Sequence, residues 1–474
     1  MSEGAEWELP ALADPGVDVV LRDDGATILR SATPLGEIPR CLGDLLVANA
    51  STVGERVFLG ERQPAVVDGR LGPWTSLPWG AALERVEALA GALLDLGASP
   101  ERPLLLLSGN SIAHALLTLA AMHVGIPAAA VSVAYSLVSR DHAKLRLIVD
   151  ALTPGVVFTE TPEPFARALH AAKLESHPLI CLASDDPRHH LLADLQARRP
   201  DSRVASRFAQ IGPNTIAKVL FTSGSTGLPK GVINTQRMLC SNQAALAQAW
   251  PFLGQEAASG APPVICDWLP WNHTFGANFN FNMILRHAGT LWIDGGKPAP
   301  HLFSTTLANL RERAPTLYFN VPRGFALLIP ELEQDSELRD HFFSRLRLIF
   351  YAAAALPQNL WERLERLAIL STGKRVLMVS AWGSTETAPC STVVHWPIER
   401  AGVIGNPMPG TEIALLPDVV VEEDRANGSL EVVLEDLVGA EIPVSLVYAD
   451  REYLDPKVRA FVDLAAEMFV PEAL

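Results

Sequence analysis

The sequence predicts an α/β fold with largely parallel sheets layered between helices. Two observations carry this. Segments with apolar residues at helical spacing alternate along the chain with short, wholly apolar runs. Runs of that kind are typical of strands buried on both faces, as in parallel sheets.

Taken in order, residues 77–96 carry apolar positions at helical spacing and stop at Gly97, a C-cap signal. Residues 103–108 (PLLLLS) read as a buried strand and 111–123 as a helix. The most apolar stretch, 112–134, is interrupted by His114, His123, Gly125 and Pro127, so it reads as helix, turn and strand and not as a membrane span. Strands follow at 155–159 and 178–182, and the strand at 219–222 runs into a glycine-rich turn. Strands at 346–351 and 375–380 flank a helix over 358–368. Beyond Gly410 acids accumulate (Asp418, Glu422, Glu423, Asp424, Glu431, Glu435, Asp436) and bases are few, which marks a boundary there. No internal repeat is present.

At 474 residues, 49% hydrophobic and 19% charged, the chain has a globular composition and room for two or more domains or one large multilobed one. Its formal net charge of −15 repels nucleic acid and anionic membranes, so neither is an expected partner. Anionic substrates must then meet local positive groups. The five cysteines (41, 181, 240, 266, 390) are scattered without a CxxC pair, as expected for reduced thiols and not for a zinc site. Residues 1–15 are acidic and lack an apolar core, unlike a signal peptide, and the expected location is cytoplasmic.

The most informative segment is 220–232, LFTSGSTGLPKGV. A short apolar strand delivers Thr222, Ser223, Ser225 and Thr226 around Gly224 and Gly227, then Lys230. Glycines let backbone N–H groups close around an anion without Cβ clashes, hydroxyls add donors, and the lysine supplies a point charge for a polyphosphate. No Ser or Thr follows the lysine, so this is not a Walker A loop. An ordinary Gly/Ser-rich turn does not need this hydroxyl density, a lysine and a preceding strand together. The segment resembles the signature of adenylate-forming enzymes: acyl-CoA and aryl-CoA synthetases, adenylation domains and firefly-type luciferases.

Further segments carry the same resemblance. Residues 381–389, AWGSTETAP, are similar to that family's second core motif. It implies that Trp382 and Gly383 lie near adenine, that Thr385 contacts the α-phosphate, and that Glu386 holds the Mg²⁺ bound to ATP, a hard cation suited to carboxylate and phosphate oxygens. In 267–276, DWLPWNHTFG, the resemblance puts His273 beside the substrate carboxylate. In 350–357, FYAAAALP, the family usually has one or two glycines against adenine; here Ala352, Ala353 and Ala354 stand in those places. The segments 108–114, 141–145 and 403–410 also match. Residues 264–282 look most like feruloyl-CoA synthases, which join aromatic propenoic acids to coenzyme A.

The resemblance covers roughly residues 35–410. It implies the large N-terminal domain of an adenylate-forming enzyme, two packed sheets flanked by helices, with an incomplete third lobe and without the small C-terminal domain. After Gly410, no counterpart of the family's ribose-binding Asp, basic hinge or catalytic Lys is visible. Residues 415–434 and 441–468 instead resemble the end of the effector domain of LysR-type regulators, so 411–474 reads as an unrelated tail. The expected activity is an ATP-dependent acid–CoA ligase using ATP, Mg²⁺, coenzyme A and an aromatic carboxylic acid such as ferulate, impaired by the missing lobe. The alternative is an inactive remnant that at most binds nucleotide. The expected catalytic residues are His273, Thr385, Glu386 and Lys230.

Overall fold

A computed structural model describes residues 5–23, 26–63, 71–199, 202–222 and 228–415, together with two short strands at Glu431–Val432 and Val447–Tyr448. The architecture is α/β, as expected.

The first sheet has seven strands in the spatial order His190–Leu191, Leu179–Cys181, Val156–Phe158, Leu104–Leu106, Ala128–Ala130, Ile216–Thr222 and Lys230–Thr235. All neighbours are parallel except the last pair, an antiparallel hairpin. Its central strands are wholly apolar because both faces are covered. Leu104, Leu106, Ala128 and Ala130 join one core with helices Trp79–Asp95 and Ile112–His123. Leu105, Leu107, Ala129 and Val131 join another with Ala143–Leu152 and Pro162–Ala171.

The second sheet follows the same logic. Leu317–Asn320, Leu348–Tyr351 and Arg375–Gly383 run parallel, Cys390–Val393 and Asn406–Pro407 continue antiparallel, and Trp7–Glu8 pairs with the start of Arg375–Gly383. Tyr318, Ile349, Tyr351 and Met378 face outer helices, including Pro322–Gln334 and Gln358–Thr372. Phe319, Phe350, Leu377 and Val379 face inward, into the core they share with the first sheet. Four further strands (Val264–Asp267, Thr290–Ile293, Val57–Arg62, Trp74–Pro78) form a mixed sheet, and Val17–Leu21, Thr27–Ser31 and Glu412–Leu415 form a small antiparallel one. The fold thus continues one strand past the boundary expected at Gly410.

Several element ends differ from expectation for local reasons. Residues 77 and 78 close the strand Trp74–Pro78, in which Pro78 still lies opposite Val57, and the helix begins at Trp79 because Pro78, extended at ψ 159°, is its N-cap and lacks the N–H for a helix interior. Gly97 (φ +84°) ends that segment as expected. The later helix runs to Thr372, four residues beyond 368, and stops at Gly373 (φ +75°), a C-cap glycine. Residues 112–134 resolve into the helix Ile112–His123, a turn at Gly125 (φ +74°) and the strand Ala128–Ala130, and no described helix is long and apolar enough to cross a membrane. A π-helix over Phe275–Asn280, invisible in the sequence pattern, lies in the shared core and leads into Phe281–Arg286.

Candidate active site

The last two strands of the first sheet form an antiparallel hairpin. Thr222 ends one strand and Lys230 starts the next, and the two are direct partners across the ladder. Lys230 is solvent-exposed, its ammonium available to an anion arriving at the turn. Ser223, Gly224, Ser225, Thr226 and Gly227 lie outside the described residues.

The second sheet supplies a facing edge. Strands Leu348–Tyr351 and Arg375–Gly383 are parallel neighbours, with Tyr351 opposite Ser380, so Ala352–Ala354 follow the carboxyl end of the first while Trp382 and Gly383 close the second. Carboxyl ends of parallel strands are where α/β folds bind ligands. Ala352 is half-buried, Ala353 and Ala354 are exposed, and Trp382 is half-buried. Thr385 and Glu386 follow in the tight connection to Cys390–Val393. There the Ser384 N–H donates to Pro389 O (2.9 Å) and Ala388–Pro389 is cis. Glycine is required at 383: a Cβ there would stand 1.8 Å from Pro389 O. Glu386 is exposed and Thr385 half-buried.

His273 lies in the turn between Val264–Asp267 and the π-helix. Its N–H donates to Pro270 O (3.0 Å), its carbonyl accepts from Ala277 N (3.0 Å), and its side chain is exposed. The turn is tied to the second sheet by Trp268 Nε1, which donates to Asn320 Oδ1 (3.2 Å) at the carboxyl end of Leu317–Asn320. The π-helix lays Phe275 and Phe279 against Phe350, with ring centroids 5.5 and 4.9 Å apart.

Hydrogen bonds connect these three pieces. Asn234, on the hairpin, donates through Nδ2 to Thr385 O (3.1 Å). Asn278, in the π-helix, donates to Asn234 Oδ1 (2.9 Å) and Thr274 Oγ1 (3.0 Å). Lys218, in the strand before the phosphate turn, donates to Ala277 O (2.9 Å) and Asn278 Oδ1 (3.3 Å). The structure therefore joins the phosphate hairpin, the His273 segment and the Thr385–Glu386 turn through Lys218, Asn234 and Asn278, of which the sequence pointed only to Asn278, within 264–282. A lysine inside the apolar run IAKVLF was the signal that could have found the first of them.

Burial shifts two charges at this junction. It pushes the Lys218 ammonium down to about 7 and the Asp267 carboxyl up to about 7. A small cavity adjoins Lys218, with His114, Thr118, Trp271, Ala277 and Phe281 among its walls. Burial also holds His114 down to about 4, so its imidazole is neutral.

Among the described residues no group of three or more His, Cys, Asp or Glu side chains could hold a metal. The exposed Glu386 carboxylate beside Thr385 fits a different arrangement, a Mg²⁺ held by one carboxylate and by oxygens of the nucleotide that brings it.

Comparison with known proteins gives two family matches. A model of the AMP-binding enzyme family matches residues 58–432, and one of the LysR substrate binding domain matches 410–470. Among curated proteins, the chain is similar to a malonate–CoA ligase of Arabidopsis thaliana, 26% identical over 230 residues, 46% of this chain and 34% of that protein. It is also similar to a 3-hydroxybenzoate–CoA ligase of Aromatoleum sp. (strain CIB), 24% identical over 366 residues, 76% of this chain and 64% of that one. It thus spans 34–64% of the length of these two relatives. Among solved structures, a benzoate CoA ligase from Burkholderia xenovorans LB400 superposes with a TM-score of 0.60 at 20% identity, covering 78% of this chain and 66% of that one, a likeness of fold.

Proposed function

This chain belongs to the AMP-binding enzyme family, and we propose on that premise that it is an ATP-dependent acid–CoA ligase for an aromatic acid of the hydroxycinnamate type, such as ferulate. The observation that carries the ligase reading is the bond from Asn234 to the Thr385 carbonyl, which holds the phosphate hairpin against the turn bearing Thr385 and Glu386. One nucleotide triphosphate can then meet both.

In this reading the acid's carboxylate attacks the α-phosphorus of ATP, giving an acyl-adenylate and pyrophosphate. The thiolate of coenzyme A then attacks the acyl carbon and AMP leaves. Thr222, the turn 223–227 and Lys230 hold the β- and γ-phosphates. Thr385 contacts the α-phosphate, Glu386 binds the Mg²⁺ that neutralises phosphate charge, and His273 lies at the carboxylate. Trp382, Gly383 and Ala352–Ala354 border the adenine. The chemistry is chiefly positioning and charge stabilisation.

Two things support the aromatic acid: the resemblance of 264–282 to feruloyl-CoA synthases and a relative named for 3-hydroxybenzoate. The relative named for malonate supports only the acid–CoA ligase.

A second reading, a catalytically inactive remnant that at most binds nucleotide, is favoured by the LysR match over 410–470. Acid-dependent ATP–pyrophosphate exchange separates the two. Exchange driven by ferulate above malonate and palmitate is expected. A preference for malonate or palmitate overturns the substrate class, and MgATP binding in calorimetry with no exchange for any acid leaves the second reading.

A further inference from the structure

We propose that Lys218, Asn278 and Asn234 form an orienting relay that fixes the turn carrying Thr385 and Glu386 upon the phosphate hairpin, which makes them positioning residues for nucleotide chemistry. The inference rests on the ligase reading above for its functional consequence.

The case is one of hydrogen-bond polarity. Each side-chain amide has one end that accepts and one that donates. Lys218 is only 4% exposed, and in its ammonium form, below about pH 7, it can only donate, so that form requires the Oδ1 end of Asn278. The NH₂ end of Asn278 is thereby turned toward Asn234 Oδ1 and Thr274 Oγ1. That in turn aims the NH₂ end of Asn234 at the Thr385 carbonyl.

The far end demands the same order independently, because a carbonyl oxygen only accepts. A donor-only group at one terminus and an acceptor-only group at the other admit one arrangement of the two amides between them. Reversing either would set oxygen against oxygen or N–H against N–H in a buried place, since Asn234 and Asn278 are both fully buried.

The relay also reaches the His273 segment. Lys218 donates to the Ala277 carbonyl, and Gln243 Nε2 donates to the carbonyls of Asn278 (2.9 Å) and Phe279 (3.3 Å), so three successive π-helical carbonyls take side-chain donors. The strand entering the phosphate turn thus grips both the helix after His273 and, through two amides, the metal-side turn 151 residues further along the chain than Asn234.

Asn278→Asp separates this role from mere packing. The carboxylate is nearly the same size, still accepts from Lys218, and can accept from the Thr274 hydroxyl. It offers Asn234 no donor, so Asn234 turns its NH₂ toward it and its oxygen toward the Thr385 carbonyl. The variant should melt no lower than the parent, since the buried ammonium gains a counter-charge. Amides of 384–390 should nevertheless exchange with deuterium roughly tenfold faster, and kcat for acid-dependent pyrophosphate exchange should fall roughly 10²-fold with the acid's KM little changed. Lys218→Met removes the donor at one terminus and leaves the Thr385 carbonyl to hold the other, so exchange at 384–390 should rise above the parent but less than in Asn278→Asp. Parental deuterium exchange at 384–390 in both variants would overturn the relay. Because that readout needs no turnover, a parent chain with no pyrophosphate exchange would sink the ligase reading while the relay is still decided.

Discussion

Ala353 has φ +70°, in the left-handed region that a side chain enters at a cost of roughly 1–2 kcal/mol. It stands where the resemblance implies glycine, so the backbone keeps the glycine-like bend and alanine bears the strain. Ala353→Gly relieves that strain and loses part of the gain to the freer unfolded chain, about 0.4–1 kcal/mol. A net stabilisation of up to about 1 kcal/mol in urea unfolding is expected. A loss equal to that of Ala354→Gly, whose φ is not positive, would refute it. Asp267 makes a pH prediction. Its folded value is raised to about 7 by burial, against 3.8 for the free side chain, so folding opposes its ionisation. That penalty is absent when both states are protonated, below about pH 4, grows as pH rises, and is complete above about 7. Asp267→Asn should therefore flatten the fall in stability across that window and gain on the order of 2–4 kcal/mol at pH 8. The new NH₂ can meet Asn280 Oδ1, a buried oxygen without a partner, if the Asn280 amide turns over. A variant whose stability falls with pH as steeply as the parent's would show that Asp267 is not the titrating group.

At the scale of elements, what the sequence disclosed was local. Gly383 was legible because a motif spacing implies it, and the structure supplies the reason: the chain returns so closely that Pro389 O would lie 1.8 Å from a Cβ. Gly383→Ala must open the turn, at roughly 1–3 kcal/mol of stability. Through Thr385 and Glu386 it should lower MgATP affinity as well; parental affinity in calorimetry would detach this turn from the site. On the hairpin, Lys230→Ala removes the exposed cation beside the phosphate turn. It should weaken MgATP binding by roughly 1.5–3 kcal/mol without lowering the melting temperature; unchanged affinity removes it from the site. The strands of both sheets were legible as apolar runs, and their pairing was not, because parallel neighbours such as Leu348–Tyr351 and Arg375–Gly383 are brought together only by packing. The π-helix was hidden for a related reason. Its carbonyls are satisfied by Lys218 and Gln243, which lie 59 and 35 residues from the carbonyls they reach, so no local pattern announces it.

For the molecule as a whole, the two sheets and their shared core place the candidate site at the carboxyl ends of the second sheet, facing the hairpin of the first. The strand Glu412–Leu415 then crosses to Thr27–Ser31 and is bound by four residue pairs, Glu412 opposite Arg30 through Leu415 opposite Thr27. On the other side of that small sheet, Val17–Leu21 presents Val19 and Leu21 at 60% and 78% exposure. Residues 410–470 match a LysR substrate binding domain and the AMP-binding match runs to 432; the resemblance leads us to expect no counterpart of the ribose-binding Asp, hinge and catalytic Lys after Gly410. Preorganised charge lost at a transition state typically costs about 10²–10³ in rate per group. On the proposed ligase reading, thioester formation from ferulate, ATP and coenzyme A by residues 1–474 is expected to be slower than in a full-length relative by at least about 10²-fold. The remedy has to respect the sheet. Replacing the chain after Leu415, and not after Gly410, with the matching part of a relative keeps the strand that Thr27–Ser31 requires. That chimera should recover thioester formation, whereas a junction at Gly410 should fold less well unless the donor segment pairs there equally. Parental turnover already near that of a complete relative would show that 411–474 supplies what the resemblance does not reveal. A Leu415 chimera that folds, binds MgATP and still makes no thioester would place the defect in residues 1–415.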